Sequence, residues 1–330
     1  MKTYLVTGGL GFIGLNYIKS IINNKNNFII NFDKKTYASN DDIFLEYKNY
    51  KFIKGDISNI KQLEKVFKEF DIDYVINFAA ESHVDNSFVN AQKFLKTNIL
   101  GVASLLCCCV SFWKDFSKKR FIQISTDEVY GECSTPCFEN SPYNPSSPYA
   151  ITKTCGEELA MQFYKNFNLP VLITRSSNNF GEYQHPEKLI PKVFLSCQNH
   201  DQFTLYKNSK YNKRTWLYVN DNVSAINLVL KKGKVGEIYN IGSFTTLTNF
   251  EMINKITQYF KQNINKNLRN DFIKIVNLRP YDDKEYNINF DKITKLGFKP
   301  TDFEKNFEKT MDFYKNNAKY LQKQSKKLPK

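Results

Sequence analysis

Hydrophobic positions in the first half of the chain follow two alternating rhythms. Short β-branched and aromatic runs at 3–7, 28–33, 50–54, 74–78, 120–125 and 171–175 read as buried strands. Between them, apolar residues three and four apart predict helices over about 14–24, 58–69, 91–112, 149–167 and 186–198. Alternation of this kind implies right-handed crossovers: an α/β, Rossmann-like, doubly wound parallel sheet with helices on both faces.

After about residue 178 the rhythm loosens. Pro186, Pro191 and the polar stretch from Lys207 to Lys213 interrupt it. Strands near 216–219 and 237–241 then flank a helix at 221–231, and helices near 249–262, 291–296 and 303–317 follow. The pattern gives a first domain over 1–178 with a returning segment at about 214–243. A smaller, interleaved C-terminal lobe covers 179–317. Residues 318–330 form a basic tail, expected to be flexible.

Composition changes this picture little. Hydrophobic residues make up 42% of 330, enough for a sizeable core. No run of 18 apolar residues appears, so no membrane-spanning segment is expected. The N-terminus enters a strand without a signal-peptide pattern, which makes the expected compartment cytoplasmic. The seven cysteines lack metal-ligand spacing; Cys107, Cys108 and Cys109 point about 100° apart on a helix, so no metal is expected. A net charge of +14 raises the question of nucleic acid. Lysine is spread along the whole chain, and no nucleic-acid-binding motif accompanies it, so that class of partner is set aside.

Chemistry begins at the first strand–helix junction. Gly8, Gly11 and Gly14 give a G-x-x-G-x-x-G turn, with Phe12 and Ile13 inside it, suited to close approach of a pyrophosphate at a helix N-terminus. Asp33 ends the next strand, where a carboxylate accepts from ribose hydroxyls and repels a 2′-phosphate, favouring NAD over NADP. Asp56 and Ile57 follow the third strand; Asp56 could accept from an adenine amino group or simply cap a turn, as could Ser58. Ala79 and Ala80, after the fourth strand, are small enough for the cofactor's second half to lie against backbone.

The fifth strand leads into Ser125-Thr126-Asp127-Glu128-Val129-Tyr130-Gly131. Ligands in open α/β sheets bind outside strand C-termini, so the hydroxyl and two carboxylates lie where reacting groups are expected, although Asp-Glu can also merely begin a loop. In a continuing strand the two carboxylates would face opposite ways, so the strand is predicted to end at or just after Ser125. Tyr149 and Lys153 share one helix face. An ammonium about 4 Å from the phenol, at an effective dielectric near 20, is worth roughly 4 kcal/mol. That would bring the phenol from about 10 toward about 7, the range of a useful base.

With these residues, the chain resembles the extended short-chain dehydrogenase/reductase superfamily from Lys2 to about Tyr314. Within it, the Ser125–Gly131 stretch resembles the nucleoside-diphosphate-glucose 4,6-dehydratases. So do His83-Val84-Asp85-Asn86-Ser87, Arg175-Ser176-Ser177-Asn178-Asn179, Pro186 to Pro191 and Arg214 to Val219. The resemblance implies an NAD-binding first domain, a nucleotide-sugar substrate and a homodimer built on the helices near 91–112 and 149–167. It implies that Tyr149, with Lys153 and Thr126, deprotonates the sugar 4-hydroxyl as hydride leaves C4. Glu128 then removes the C5 proton, Asp127 protonates the departing 6-hydroxyl, and hydride returns to C6. Ser87, Asn178, Lys188, Arg214 and Arg279 are the implied substrate contacts. The chain departs from the bacterial dTDP pattern at Arg279 to Tyr286 and at Phe203 to Ser209, and its His83 to Phe88 stretch is closer to UDP-glucose dehydratase modules of rhamnose synthesis; the expectation leans to UDP-glucose, with dTDP-glucose second. An epimerase or decarboxylase of the same superfamily would have no use for the Asp127–Glu128 pair. A non-catalytic NAD-binding scaffold would have no need of Thr126, Tyr149 and Lys153.

Overall fold

The computed structural model describes residues 1–269, 271–277 and 282–328. The chain begins β1 (Lys2–Thr7), α1 (Phe12–Ile21), β2 (Asn27–Asp33), β3 (Tyr50–Lys54), α2 (Ile60–Glu69) and β4 (Tyr74–Asn77). It continues through α3 (Val84–Val89), α4 (Ala91–Phe94), a π-helical turn (Leu95–Leu100), α5 (Gly101–Phe112), β5 (Arg120–Thr126), α6 (Pro148–Phe167) and β6 (Val171–Ser176). The second half contains β7 (Asn178–Phe180), α7 (Leu189–Asn199), β8 (Phe203–Tyr206), β9 (Lys213–Tyr218), α8 (Val219–Lys232) and β10 (Ile238–Ile241). Then come β11 (Thr246–Thr248), α9 (Asn249–Asn263), β12 (Ile273–Val276), α10 (Asp291–Lys295), α11 (Phe303–Asn316) and α12 (Ala318–Ser325).

Seven strands form one parallel sheet in the order β3-β2-β1-β4-β5-β6-β10. The order reverses between β1 and β4, which opens a crevice at the strands' C-terminal ends. Phe121 and Ile122, neighbours in β5, enter cores on opposite faces: Phe121 with Leu5, Val75 and Leu105, Ile122 with Ile18, Leu172 and Ile226. A chain of side-chain hydrogen bonds crosses the middle of the sheet. Thr7 donates to Asn77 at 2.6 Å, and Asn77 donates to Gln123 at 2.8 Å.

The returning segment is narrower than expected. Only α8 and β10 pack on the central sheet; β9 pairs with β7 and β11 in a separate three-stranded sheet. Leu217 still faces the central core, while Trp216 and Tyr218 join the second lobe's cluster around Phe180, Phe194 and Phe260. β9 thus ties the lobes together through its two faces.

One further expectation, that of a flexible tail, is corrected, and the apolar helical run is explained by packing. The helical run Ala91–Phe112, with a mean hydropathy of 1.7, is long and apolar enough to cross a membrane by composition alone. Half of its apolar window is buried, with Val102, Leu105, Leu106 and Cys109 in the sheet's core, which accounts for the apolar run as packing. The basic tail is not frayed over 318–325: α12 buries Leu321 fully and leaves Gln324 only 1% exposed. Its lysines are interspersed with these anchors, so composition hid the docking stripe.

One buried ion pair fastens the helix α6 to the sheet. Arg175 on β6 donates three hydrogen bonds, of 2.6–3.2 Å, to the Glu157 carboxylate of α6, and neither side chain exceeds 1% exposure. The guanidinium lies between the rings of Tyr130 and Tyr143, at 4.7 and 4.8 Å, and donates to the Tyr130 hydroxyl at 2.6 Å. Glu157→Gln leaves a buried cation without its counter-charge and should cost about 3 kcal/mol in urea unfolding. Joint replacement by Glu157→Leu and Arg175→Met should cost less than that single change. A single substitution with an unmoved midpoint would remove the pair from its structural role.

Candidate active site

The crevice holds a cavity of about 320 Å³. β1 delivers the chain into its floor. Gly8 has φ +68°, and a Cβ there would lie 2.6 Å from the backbone nitrogen of Ala79; one on Gly14 would lie 2.4 Å from the Gly8 carbonyl oxygen. Only glycine permits this closeness of turn, helix and β4. Gly11 caps α1 without a side-chain hydrogen bond, so the first helical N–H groups remain available to a ligand, at the positive end of the helix dipole.

Asp33, at the end of β2, is 6% exposed and held by three donors. Leu10 N–H reaches Oδ2 at 3.0 Å, while Lys35 N–H and the Ser39 hydroxyl reach Oδ1 at 2.7 and 3.3 Å. Asp56 accepts from Ser58 N–H at 3.0 Å and pairs with Lys34 at 2.8 Å, so it stabilises its turn and lines the cavity as well. The cap of α2 is Asn59, not Ser58.

β5 runs through Thr126 and then turns. Residues Asp127–Tyr130 form a single 3₁₀ turn, with the Thr126 hydroxyl accepting from Glu128 N–H at 3.3 Å. The strand therefore ends just after Ser125, as the two-carboxylate argument requires, and both acids line one cavity. Asp127 is 3% exposed. Its Oδ1 accepts from Thr126 at 3.2 Å, and its Oδ2 has no hydrogen-bond partner. Burial, and then the neighbouring Glu128 charge, push its carboxyl up to about 7.

α6 begins at Pro148, with Ser147 accepting from Ala150 N–H at 3.1 Å, a start that places Tyr149 in the first turn. Lys153 is 6% exposed and donates to the Ile124 carbonyl at 2.6 Å. Desolvation lowers it to about 8, opposed by Glu157. The lowering of the Tyr149 phenol expected from Lys153 does not hold for the protein alone. Burial first, then the Glu128 and Asp127 charges, raise it, and only the hydrogen bond with Thr126 draws it back. The pairwise estimate had left out desolvation and both acids.

The cavity gathers every predicted cofactor residue: Gly8, Gly11, Phe12, Ile13 and Gly14 on one wall, with Asp33, Asp56, Ile57, Ala79 and Ala80 around them. Thr126, Asp127, Glu128, Tyr149 and Lys153 form its far end, together with Asn178 and Lys188. Two expected substrate contacts lie elsewhere. Ser87 is fully buried and donates to the Val84 carbonyl at 2.6 Å, a local helix bond. Arg214 lies outside the lining; it pairs with Asp282 at 3.1 Å and stacks on Tyr286 at 4.8 Å. Arg279 falls outside the described residues.

Other cavity residues escaped the sequence reading. Ser125 Oγ, Ser177 Oγ, Gln184 Oε1 and both ring nitrogens of His185 are buried without hydrogen-bond partners. Buried polar atoms left unpaired in a cavity call for a polar ligand. Asn98, in the π-helical turn, donates to Thr152 of α6 at 2.9 Å and accepts from Glu81 N–H at 2.9 Å. A lone Asn within an apolar helical run was the available signal. π-turns of this kind recur at functional sites.

A family model described as GDP-mannose 4,6 dehydratase matches residues 5–310. The chain belongs to that family. It is 41% identical to the dTDP-glucose 4,6-dehydratase of Haemophilus influenzae, over 96% of this chain and 99% of the relative. The crystal structure of a dTDP-glucose 4,6-dehydratase from Bacillus anthracis, in complex with NAD, superposes with a TM-score of 0.87 at 35% identity, covering 98% and 100% of the two chains. A Streptomyces venezuelae dTDP-glucose 4,6-dehydratase with NAD and TYD bound gives 0.88 at 32%, covering 98% and 99%. These relatives carry the dTDP name, and they do not support the lean to UDP-glucose.

The raised Asp127 carboxyl has a measurable consequence for this family member. The folded protein holds a proton there that the unfolded chain releases near pH 4. That contribution to stability is present below about pH 4 and is lost as pH rises through about 7. Asp127→Asn should therefore melt above the parent at pH 8, by a margin that shrinks toward pH 4. Parallel melting-temperature profiles for the two proteins would contradict the assignment.

Proposed function

We propose that this protein is an NAD-dependent nucleoside-diphosphate-glucose 4,6-dehydratase acting on dTDP-glucose. The observation that carries the reading is the buried Asp127, holding its proton up to about pH 7 beside Glu128, in the same cavity as Tyr149. Such a pair suits removal of a proton and protonation of a leaving hydroxyl, for which an epimerase has no use.

The residues present fit the dinucleotide. The wall at Gly8 leaves no room for a Cβ, the start of α1 is uncapped, and Asp33 offers acceptors at the end of β2. Bound NAD supplies the acceptor and later the donor of hydride. Tyr149, hydrogen-bonded to Thr126, takes the proton of the sugar 4-hydroxyl. A ketone at C4 acidifies the proton on C5, which Glu128 removes and gives back to C5 once hydride reaches C6. Asp127 gives its proton to the departing 6-hydroxyl, and its unpartnered Oδ2 is free to make that contact. Asn178 and Lys188 serve the nucleotide-sugar within the cavity. Arg214, paired with Asp282, would first have to exchange that partner for a phosphate.

A second nucleotide remains worth testing because Phe203 to Ser209 and Arg279 to Tyr286 depart from the bacterial dTDP pattern. Incubation with dTDP-glucose and UDP-glucose together, read by mass spectrometry, should show loss of one water with the nucleotide retained, faster for dTDP-glucose. Preferential consumption of UDP-glucose would reverse the nucleotide, and a galactose product without a ketone would overturn the reaction class. Tyr149→Phe should lower kcat by about 100-fold or more.

The homodimer follows from the same reading. Leu95, Leu100 and Ile151 are 46–52% exposed on the two helical runs expected to meet a second copy. Sedimentation should give a dimer, and Leu100→Glu should shift it toward monomer; a monomeric parent would refute the arrangement.

A further inference from the structure

We infer that the C-terminal helix is a strap holding the 36–41 loop against the cofactor cavity, and that Tyr320, Lys323 and Lys327 are positioning residues for the dinucleotide. The inference rests on the reading of that cavity as an NAD site. The loop after β2 contains no regular element between Asp33 and β3, so its position must come from contacts made to it. Three consecutive loop residues receive one contact each from the C-terminal segment. Lys327 Nζ donates to the Ser39 carbonyl at 3.2 Å, the Tyr320 hydroxyl donates to Asn40 Oδ1, and Lys323 pairs with Asp41 at 2.7 Å. Tyr320 and Lys323 are spaced to share one face of α12, and Lys327 follows in the turn just beyond its end. Leu321 and Gln324 anchor the helix separately, and the Tyr320 ring packs on Tyr183 and Phe313 at 5.8 and 6.2 Å.

The held residues are one step from the cofactor's expected contacts. Asn40 donates its backbone N–H and side-chain amide to the Leu10 carbonyl, at 2.8 and 3.1 Å, inside the glycine turn. Leu10 N–H in turn donates to Asp33, as does Ser39 from the loop itself. Thr36, Ala38 and Ser39 line the cavity. A displaced loop would remove one of Asp33's donors and open the wall beside it. Among the described residues, the strap's contacts fall on Ser39, Asn40 and Asp41, so the effect belongs to the dinucleotide and not to the sugar. Lys323 and Asp41 are more than half exposed, so salt screens their share of the hold.

The test uses the full chain with Tyr320→Phe, Lys323→Ala and Lys327→Ala combined, leaving Leu321 and Gln324 to keep the helix docked. NAD dissociation is followed by stopped-flow displacement, and KM is measured separately for NAD and for the nucleotide-sugar. The expected result is NAD dissociation about tenfold faster, equivalent to 1.4 kcal/mol, with a raised KM for NAD and an unmoved KM for the sugar. Adding Asp41→Lys to a Lys323→Asp protein should recover part of the loss seen in Lys323→Asp alone. Unchanged NAD dissociation in the triple variant overturns the strap, and so does an equal rise in both KM values. A parent that does not bind NAD overturns the functional reading, and the strap falls with it.

Discussion

The buried pair between Arg175 and Glu157 is the constraint on which the site's geometry depends. Two charges removed from water stay ionised only if each satisfies the other, and here three hydrogen bonds do so. The pair joins β6 to α6 at one turn beyond Lys153. Through Tyr130, which accepts from Arg175 and donates to Asn240 at 2.8 Å, it also reaches the turn that presents Asp127 and Glu128. A shift of α6 relative to β6 would therefore break a charge pair, a stacked guanidinium and a buried hydroxyl together. That cooperativity keeps the phenol and the acid pair in one register across a cavity otherwise lined by loops.

The electrostatics of the far end follow from the same burial. Desolvation raises both the Asp127 carboxyl and the Tyr149 phenol, and the Glu128 charge raises both further. The two groups then interact: Asp127, when ionised, is one of the charges that oppose ionisation of Tyr149. Keeping a proton on Asp127 removes that opposition, so the acid's protonated state favours the base's deprotonated one. Lys153, lowered to about 8 by the same dry surroundings, remains mostly charged at neutral pH, held by the Ile124 carbonyl and the Glu157 charge.

The sequence made the central sheet legible because each of its first six strands is a β-branched run bounded by polar residues; the observed ends lie within one residue of the expected ones. The glycine turn, Asp33 and the acid pair were legible for a related reason, since each needs a residue type that few others can replace. What was not legible depended on distant contacts. β7 has three residues, too few to show a period, and β9 could be given to either lobe because its two faces serve different cores. Ser87 looked like a ligand in its motif, and its hydroxyl donates one turn back to the Val84 carbonyl, a local bond the motif does not announce. The tail's lysines masked two anchoring residues, and nothing local announced that Asn40 and Asp41, some 280 positions earlier, would receive it.

The two ends of the cavity are satisfied to different degrees, and this bears on how a reaction that regenerates its cofactor can run. Around Asp33 the protein's own groups already meet: Leu10, Lys35 and Ser39 donate to the carboxylate, and Asn40 ties the loop to the glycine turn. Toward the ends of β5 and β6, Ser125 Oγ, Asp127 Oδ2 and Asn178 Oδ1 present buried polar atoms without partners. An organised wall binds at little cost in ordering, whereas unpaired polar atoms gain most from a ligand that meets them with complementary groups. A cofactor returned to its starting state in each cycle suits the first kind of site, since nothing requires it to leave. A sugar that enters with its hydroxyls and departs lacking one suits the second, because the product forfeits a hydrogen bond that the substrate made. In the proposed reaction, the acid that donates to the leaving hydroxyl is then the same group whose lost contact favours release.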